Sequence, residues 1–541
     1  MTNNRRGSTL ALAVMVGAFC MVLLSCESDS PQEDLVEAGA AIFHDGVLPD
    51  GSPLVAMRPE GFTLEGEYAA CATCHRRSGM GSVEGLVDSA ILVPPLVGPV
   101  LFRPALYAES FLDESHYYVP HPSWRRAMTR PAYDKHTLAA SLRDGLNSAG
   151  EPIGAPMPRY DLDDAAAQAL TAYLRQLGSE ASPGVTDEIM HIATVIAGDA
   201  NPARAEAVLG VLNTWASTAR GGGLPWQLHT WSLNGPADTW QAQLDSYYDK
   251  QPVFAVLSGA GASTWQPVHD FCEQSELPCI MPVVDLTPLD RAAHFSAYFS
   301  PGIGLEARIL AKYLQDSGKV VRQRFGDDAG AHAAAILGEE LGATTNNVEE
   351  IGIDDALVLW LRPDAVAAFV AEHPNGPPAA EIYLSALLAS PEDVSLPPTW
   401  REHTRFVTLF DDLGLQGEIA RLRLERWLTR NGLAEQGPRR VQADAYVASY
   451  ILNKSLATIR RQELNRPAVP LTREHLLETL EDIVAKYSDG TQLIDEDLHI
   501  AYYGRMSLGP GQRIAARGGS IVGYQSPDSS RLILLSDRIV P

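Results

Sequence analysis

Cys71-Ala72-Thr73-Cys74-His75 places two thiols three positions apart and a histidine directly after the second. At that spacing each thiol can form a thioether to one vinyl group of a porphyrin, and the next imidazole swings beneath the iron, so the motif reads as the attachment site of one covalent c-type haem. A redox Cys-x-x-Cys has no need of that histidine. A structural zinc site needs a second ligand pair close by, whereas the next cysteines are Cys272 and Cys279. An iron held by His75 then needs a sixth ligand or an open face. The other donors near the motif are Met80, Met128, His116, His121, His136 and Met157, of which Met80 is too close to the attachment helix to reach round the ring.

Two helices must frame such a site. The first runs from Asp34 to His44 with Leu35, Ala38, Gly39 and Ile42 on one side, at helical spacing. The second is expected to begin with Asp161 as cap and Asp163 and Asp164 in its first turn, and carries an apolar stripe of Leu162, Ala166, Ala169, Leu170, Tyr173, Leu174 and Leu177. Residues 34–178, framed this way around Cys71-Ala72-Thr73-Cys74-His75, resemble class I cytochromes c. The resemblance implies an all-α domain whose first and last helices cross through Gly39, Phe43 and Tyr173. It also implies that Met157, on the proline-stiffened loop Gly154-Ala155-Pro156-Met157-Pro158-Arg159-Tyr160, is the axial partner of His75. A thioether stabilises ferrous iron and suits electron transfer. Two stretches exceed a minimal cytochrome, Asp45 to Ala70 and Ile91 to Pro131, and read as loops covering the haem edge.

The first residues read as an export signal. Arg5 and Arg6 precede an apolar run from Leu10 to Leu24, a length that suits a signal peptide and is short for a membrane span. Leu23-Leu24-Ser25-Cys26 resembles the lipobox of bacterial lipoproteins, which implies cleavage before Cys26 and lipidation of its thiol. Residues 1–26 are thus read as a lipoprotein signal, and the mature chain as a periplasmic protein held to a membrane by its lipid alone. Glu27 is not the aspartate that commonly retains lipoproteins at the inner membrane, so the outer membrane is favoured. Cys272 and Cys279 remain, and an oxidising periplasm favours a disulfide over two buried free thiols. The formal charge of −25 becomes −27 once Arg5 and Arg6 are lost. Nucleic acid is a poor partner for such a surface, whereas a basic redox protein could be steered to it.

Residues 179–189 read as a linker, and the periodicity changes after it. From His191 short β-rich runs, among them Ile192–Ala197, Pro252–Leu257, Ile280–Val284, Ala356–Leu361, Glu381–Leu384 and Thr404–Leu409, alternate with amphipathic helical stretches, which predicts parallel sheets covered by helices. Residues 190–541 resemble the two-lobed type I periplasmic binding proteins that receive branched-chain amino acids. The segment Gly261-Ala262-Ser263-Thr264-Trp265-Gln266-Pro267, after the strand Phe254–Leu257, is similar to the turn with which those receptors hold a ligand carboxylate. Ser263 and Thr264 are therefore candidate ligand donors, or simply helix caps; no acidic residue matches the amino-group site. Gly-x-Ser-x-Gly, Walker and His-Glu-x-x-His motifs are absent from the sequence. The expectation is an electron carrier and binding protein, not an enzyme: a single His75/Met157 haem exchanging electrons with a periplasmic dehydrogenase or terminal acceptor, with a receptor-like module attached. A haem-containing receptor for an amino acid or small carboxylate is the alternative.

Overall fold

The computed structural model describes residues 31–84, 91–104, 130–154, 156–218, 223–290, 292–342, 351–411, 413–463, 469–488, 503 and 506–541. The export segment with Cys26, and His116, His121 and Met128, lie outside them. The chain separates into two compact units, the first closing at Leu177 and the second taking up Gly178–Pro541.

The first unit is built on the crossing of helices Pro31–Asp45 and Asp164–Gln176. The crossing is close because Gly39 has no side chain; a Cβ there would lie 2.2 Å from the Ala169 carbonyl oxygen and 2.7 Å from Tyr173 Cβ. Phe43 packs against Tyr173 with ring centroids 5.4 Å apart, and His44 Nε2 lies 2.6 Å from the Tyr173 hydroxyl. Ile42, Phe43, Leu101, Leu138, Leu142, Ala169, Leu170 and Leu174 fill the core around this crossing. The cap of the second helix is Asp163, whose carboxylate accepts from the Ala166 amide at 2.7 Å.

Asp161 belongs to a strand, which corrects the expected cap and the expectation of an all-α domain. Strands β1 (Val55–Met57) and β2 (Thr63–Glu65) form a hairpin, and β1 also pairs antiparallel with β5 (Arg159–Asp161), Val55 opposite Asp161 and Met57 opposite Arg159. The extra stretch before Cys71 is therefore a sheet added beside the attachment motif. A second hairpin joins β3 (Ser82–Glu84) to β4 (Ile91–Val93). The extended backbone of β5 carries Asp161 out of the helix and leaves Asp163 to cap it.

The second unit is a two-lobed α/β structure. One lobe holds β6 (Met190–Ile196), β7 (Trp226–Ser232), β8 (Ala255–Leu257), β9 (Cys279–Ile280) and β10 (Ser296–Ala297) in the order β10-β9-β8-β6-β7, all parallel. The other holds β11 (Val321–Phe325), β12 (Ala356–Trp360), β13 (Glu381–Ser385) and β14 (Thr404–Thr408) in parallel, with β15 (Ser520–Tyr524) and β16 (Leu532–Leu534) added antiparallel. The central strands are buried along their length, β12 at every position, as a sheet covered on both faces requires.

Three passages join the lobes. After β10 the chain enters helix Ile303–Leu314, which packs on helix Asp328–Leu341 of the second lobe. After β14 it returns through helix Leu415–Arg430, whose Trp427 stacks on Trp215 of the first lobe. Helix Arg439–Glu463 also packs on the first lobe's helix Pro202–Thr218. Ile514 then bridges Tyr298 before the chain crosses back into β15. One core, from Ile192 and Val208 to Val358 and Ile521, runs through both lobes. Cys272, in helix Gln266–Gln274, is bonded to Cys279 of β9, with Cα atoms 6.1 Å apart. Among the described residues, no helix is long and apolar enough to cross a membrane.

Candidate functional site

Cys71 caps a single helical turn, Ala72–His75, and its carbonyl accepts from the amides of Cys74 and His75. Cys71 is buried and Cys74 half-buried, and neither is bonded to another sulfur. After His75 the chain reverses sharply, with Arg76 at φ 64°. Gly81 then runs against β4 so closely that a Cβ would lie 2.1 Å from the Val93 carbonyl oxygen. That approach brings the Pro94 carbonyl to 2.8 Å from His75 Nδ1. A carbonyl only accepts, so Nδ1 carries the proton and the Nε2 lone pair is left as the metal-binding atom. Burial holds the His75 imidazole down at about 4, with the Pro94 hydrogen bond opposing, and pushes the Cys71 thiol up to about 12. A neutral, oriented imidazole beside two unbridged thiols fits a c-type haem, which would supply a one-electron iron couple while Cys71 and Cys74 hold the porphyrin and His75 the metal.

Residues 60–178 match the family model for cytochrome c. Within this cytochrome c domain Met157 is half-buried and packs against the core that contains Cys71, Leu101 and Tyr160. Its amide donates to the Gly154 carbonyl at 3.3 Å, closing a turn just ahead of β5. Of the rival ligands inside the described residues, His136 is exposed on helix Lys135–Arg143 and Met80 is half-buried beside the attachment turn. Tyr160 is buried within electrostatic reach of Cys71, Cys74 and Arg58, and burial raises its phenol far above the ordinary range. Sequence reasoning placed no weight on Arg159, whose guanidinium donates to the carbonyl oxygens of Met157 at 2.6 Å, Ile153 at 3.3 Å and Pro158 at 3.4 Å.

In the two-lobed unit, Ser263 and Thr264 lie beyond the carboxyl end of β8, and Asp199 beyond the neighbouring β6. The turn does receive a carboxylate, but it is the chain's own. Ser263 donates to Asp199 through its hydroxyl and through its amide at 2.7 Å, and the Ala262 amide adds a third hydrogen bond at 3.3 Å. Thr264 Oγ1 accepts from the Gln266 amide at 3.2 Å, at the start of helix Gln266–Gln274.

A larger set of charges lies where the lobes meet. Asp285, fully buried, receives both ends of the Arg204 guanidinium at 2.7 and 3.0 Å and Arg362 of the second lobe at 2.7 Å. Arg362 also donates to Asp327 at 2.7 Å. Burial opposes ionisation of Asp285, but the two guanidinium groups prevail and hold it at about 2. Nearby, Arg440 pairs with Asp444 at 3.5 Å and donates to the Leu387 carbonyl at 3.2 Å, while the Tyr503 hydroxyl donates to Asp444 at 2.5 Å. Glu306 shares a short hydrogen bond with Ser385 Oγ and accepts from the Leu387 amide at 3.1 Å. Sequence reasoning passed over these residues, although Asp285 and Arg362 each follow an apolar run at the carboxyl end of a parallel strand, where ligand-facing groups of α/β sheets collect.

Several solved structures are similar to the chain. A fatty acid ABC transporter substrate-binding protein from Thermomonospora curvata is 13% identical with a TM-score of 0.47, over 67% of this chain and 95% of that protein. A leucine binding protein from Thermotoga maritima is 11% identical with a TM-score of 0.46, over 65% and 99%. An ABC transporter substrate-binding protein from Sphaerobacter thermophilus is 14% identical with a TM-score of 0.45, over 65% and 98%. No curated protein matches the chain.

Proposed function

We propose that the chain is an exported electron carrier, tethered by a lipid on Cys26 to the periplasmic side of a bacterial membrane, the outer one favoured. It passes single electrons between a dehydrogenase and a terminal acceptor through one covalent haem c, held on Cys71 and Cys74 and ligated by His75 and Met157, and its two-lobed unit docks partners or tunes access. The observation that carries this reading is the buried His75 with Nδ1 committed to Pro94, beside two unbridged thiols in a domain that matches cytochrome c. A saturated iron suits electron transfer and not turnover of a bound substrate. The test is to mature the protein with haem. It should keep its haem through denaturing electrophoresis, show the near-infrared sulfur-to-iron band when oxidised, and bind no carbon monoxide at neutral pH. A protein lacking the band and binding carbon monoxide would have an open iron, and the carrier reading would fall.

A second reading, a solute receptor whose haem reports occupancy, draws on the Ser263 turn, whose amides and hydroxyl already hold one carboxylate, that of Asp199. In that case Asp199 stands where a ligand carboxylate would sit, so Asp199→Ala should unmask binding. Calorimetry with amino acids and small carboxylates on wild-type and Asp199→Ala protein, with no heat from either, would remove this reading.

A further inference from the structure

The added sheet and Arg159 together act on one loop. β5 begins at Arg159, directly after Met157-Pro158, and is fixed by its pairing with β1, a strand contributed by the extra stretch before the attachment motif. Arg159 turns back from that strand. One terminal nitrogen donates to the Met157 carbonyl at 2.6 Å and to the Pro158 carbonyl at 3.4 Å, and the other donates to the Ile153 carbonyl at 3.3 Å. The guanidinium therefore spans the loop from Ile153 to Pro158 and ties both sides of Met157 to one rigid plane. It also lies flat on Gly145, where a Cβ would come within 2.0 Å of it, so the chain just after helix Lys135–Arg143 backs the same group. The loop's own internal hydrogen bond, Met157 amide to Gly154 carbonyl, is long at 3.3 Å. Charge-assisted bonds from a planar fork are the stronger and more directional constraint.

We propose that Arg159 is a positioning residue for the sixth ligand: held by the β1–β5 pairing, it clamps the loop so that the Met157 thioether stays on the metal side, and the sheet before Cys71 serves as its splint. The proposal rests on the reading of Met157 as axial ligand. A merely structural Arg159 would change global stability. A clamp changes how easily the thioether is displaced while the fold stands.

The experiment uses the full-length protein matured with haem. Oxidised wild type, Arg159→Gln, Arg159→Lys and Met157→Ala are titrated with imidazole, following the near-infrared sulfur-to-iron band, and with urea, following the band and far-ultraviolet dichroism in parallel. In Arg159→Gln the haem stain and dichroism should persist, imidazole should displace the thioether at a concentration at least tenfold lower than in wild type, and urea should abolish the band before the helices melt. Arg159→Lys, which keeps the charge but has one nitrogen to share among the carbonyls, should fall between. Should Arg159→Gln give no holoprotein, Arg159→Lys is judged in its place, and displacement of its thioether at an imidazole concentration about threefold or more below that of wild type is the result expected. Imidazole affinity equal to that of wild type overturns the clamp. Absence of the band in wild type, or its survival in Met157→Ala, overturns the ligand reading and the clamp with it.

Discussion

Glu306 sits in the first turn of helix Ile303–Leu314, just after the first passage between the lobes, and is fully buried. Burial raises its carboxyl from an ordinary 4.5 to about 8, against the opposing pull of Ser385, Arg440 and the Leu387 amide. The folded protein thus keeps a proton that the unfolded chain has released. This stabilisation is complete below pH 4.5 and is lost as pH rises to about 8, at about 1.4 kcal/mol per pH unit and about 5 kcal/mol in all. Glu306→Gln removes the titration but keeps the shape: its amide can donate to Ser385 Oγ, and its oxygen can accept from the Leu387 amide. Urea unfolding of both full-length proteins at half-unit steps from pH 6.5 to 8, followed by tryptophan fluorescence of the two-lobed unit, should show wild type losing about 2 kcal/mol relative to the variant. The histidines that burial depresses, His44, His75, His191 and His229, act at lower pH and equally in both proteins, so they cancel in the difference. Parallel stability curves across this range would mean that Glu306 is ionised in the fold.

Gly39→Ala should force the two framing helices of the first unit apart and cost about 1–3 kcal/mol or more, read from the denaturant midpoint of the Soret band. Asp285→Ala leaves the half-buried guanidinium groups of Arg204 and Arg362 without the carboxylate between them, Arg362 keeping Asp327, and should cost about 3 kcal/mol in urea unfolding. Since Asp285 is held at about 2, its contribution should be present above the ordinary carboxylate range and fade as pH falls towards 2, and the variant's acid-unfolding curve should lack that component. Cys26→Ser should abolish labelling by a fatty acid and release the protein from membranes, as fractionation would show.

Long apolar periodicities carried the frame of both units into the sequence. The stripe from Ala166 to Leu174 and the glycine and aromatic pattern of Gly39, Phe43 and Tyr173 are what the helix crossing uses. The runs at Ile192–Ala197, Ala356–Leu361 and Thr404–Leu409 coincide within a residue or two with β6, β12 and β14. What stayed hidden were short elements fixed by tertiary pairing. β1, β2 and β5 are three residues each, in stretches rich in glycine, proline and charge, so no local period announces them and Asp161 reads equally well as a cap. The ion network at the meeting of the lobes was illegible for a related reason. Arg204, Asp285 and Arg362 come from three distant segments, so no spacing along the chain connects them, and only the fold brings them together.

The threefold passage between the lobes bears on the order in which this chain can fold. The first unit is complete once residue 177 has emerged, since its longest pairings, the crossing of its end helices and β1 with β5, all lie within it. Neither lobe of the second can close until the stretch containing Ile514 and β15 arrives, because Ile514 pairs with Tyr298 and β15 with β14. Such long-range pairing is slow to form and leaves sheet edges open meanwhile. In a chain delivered from its N-terminus, the Cys71-to-His75 turn therefore gains its native surroundings while most of the second unit is still unstructured, so attachment of a prosthetic group can precede, and does not have to await, completion of the larger fold.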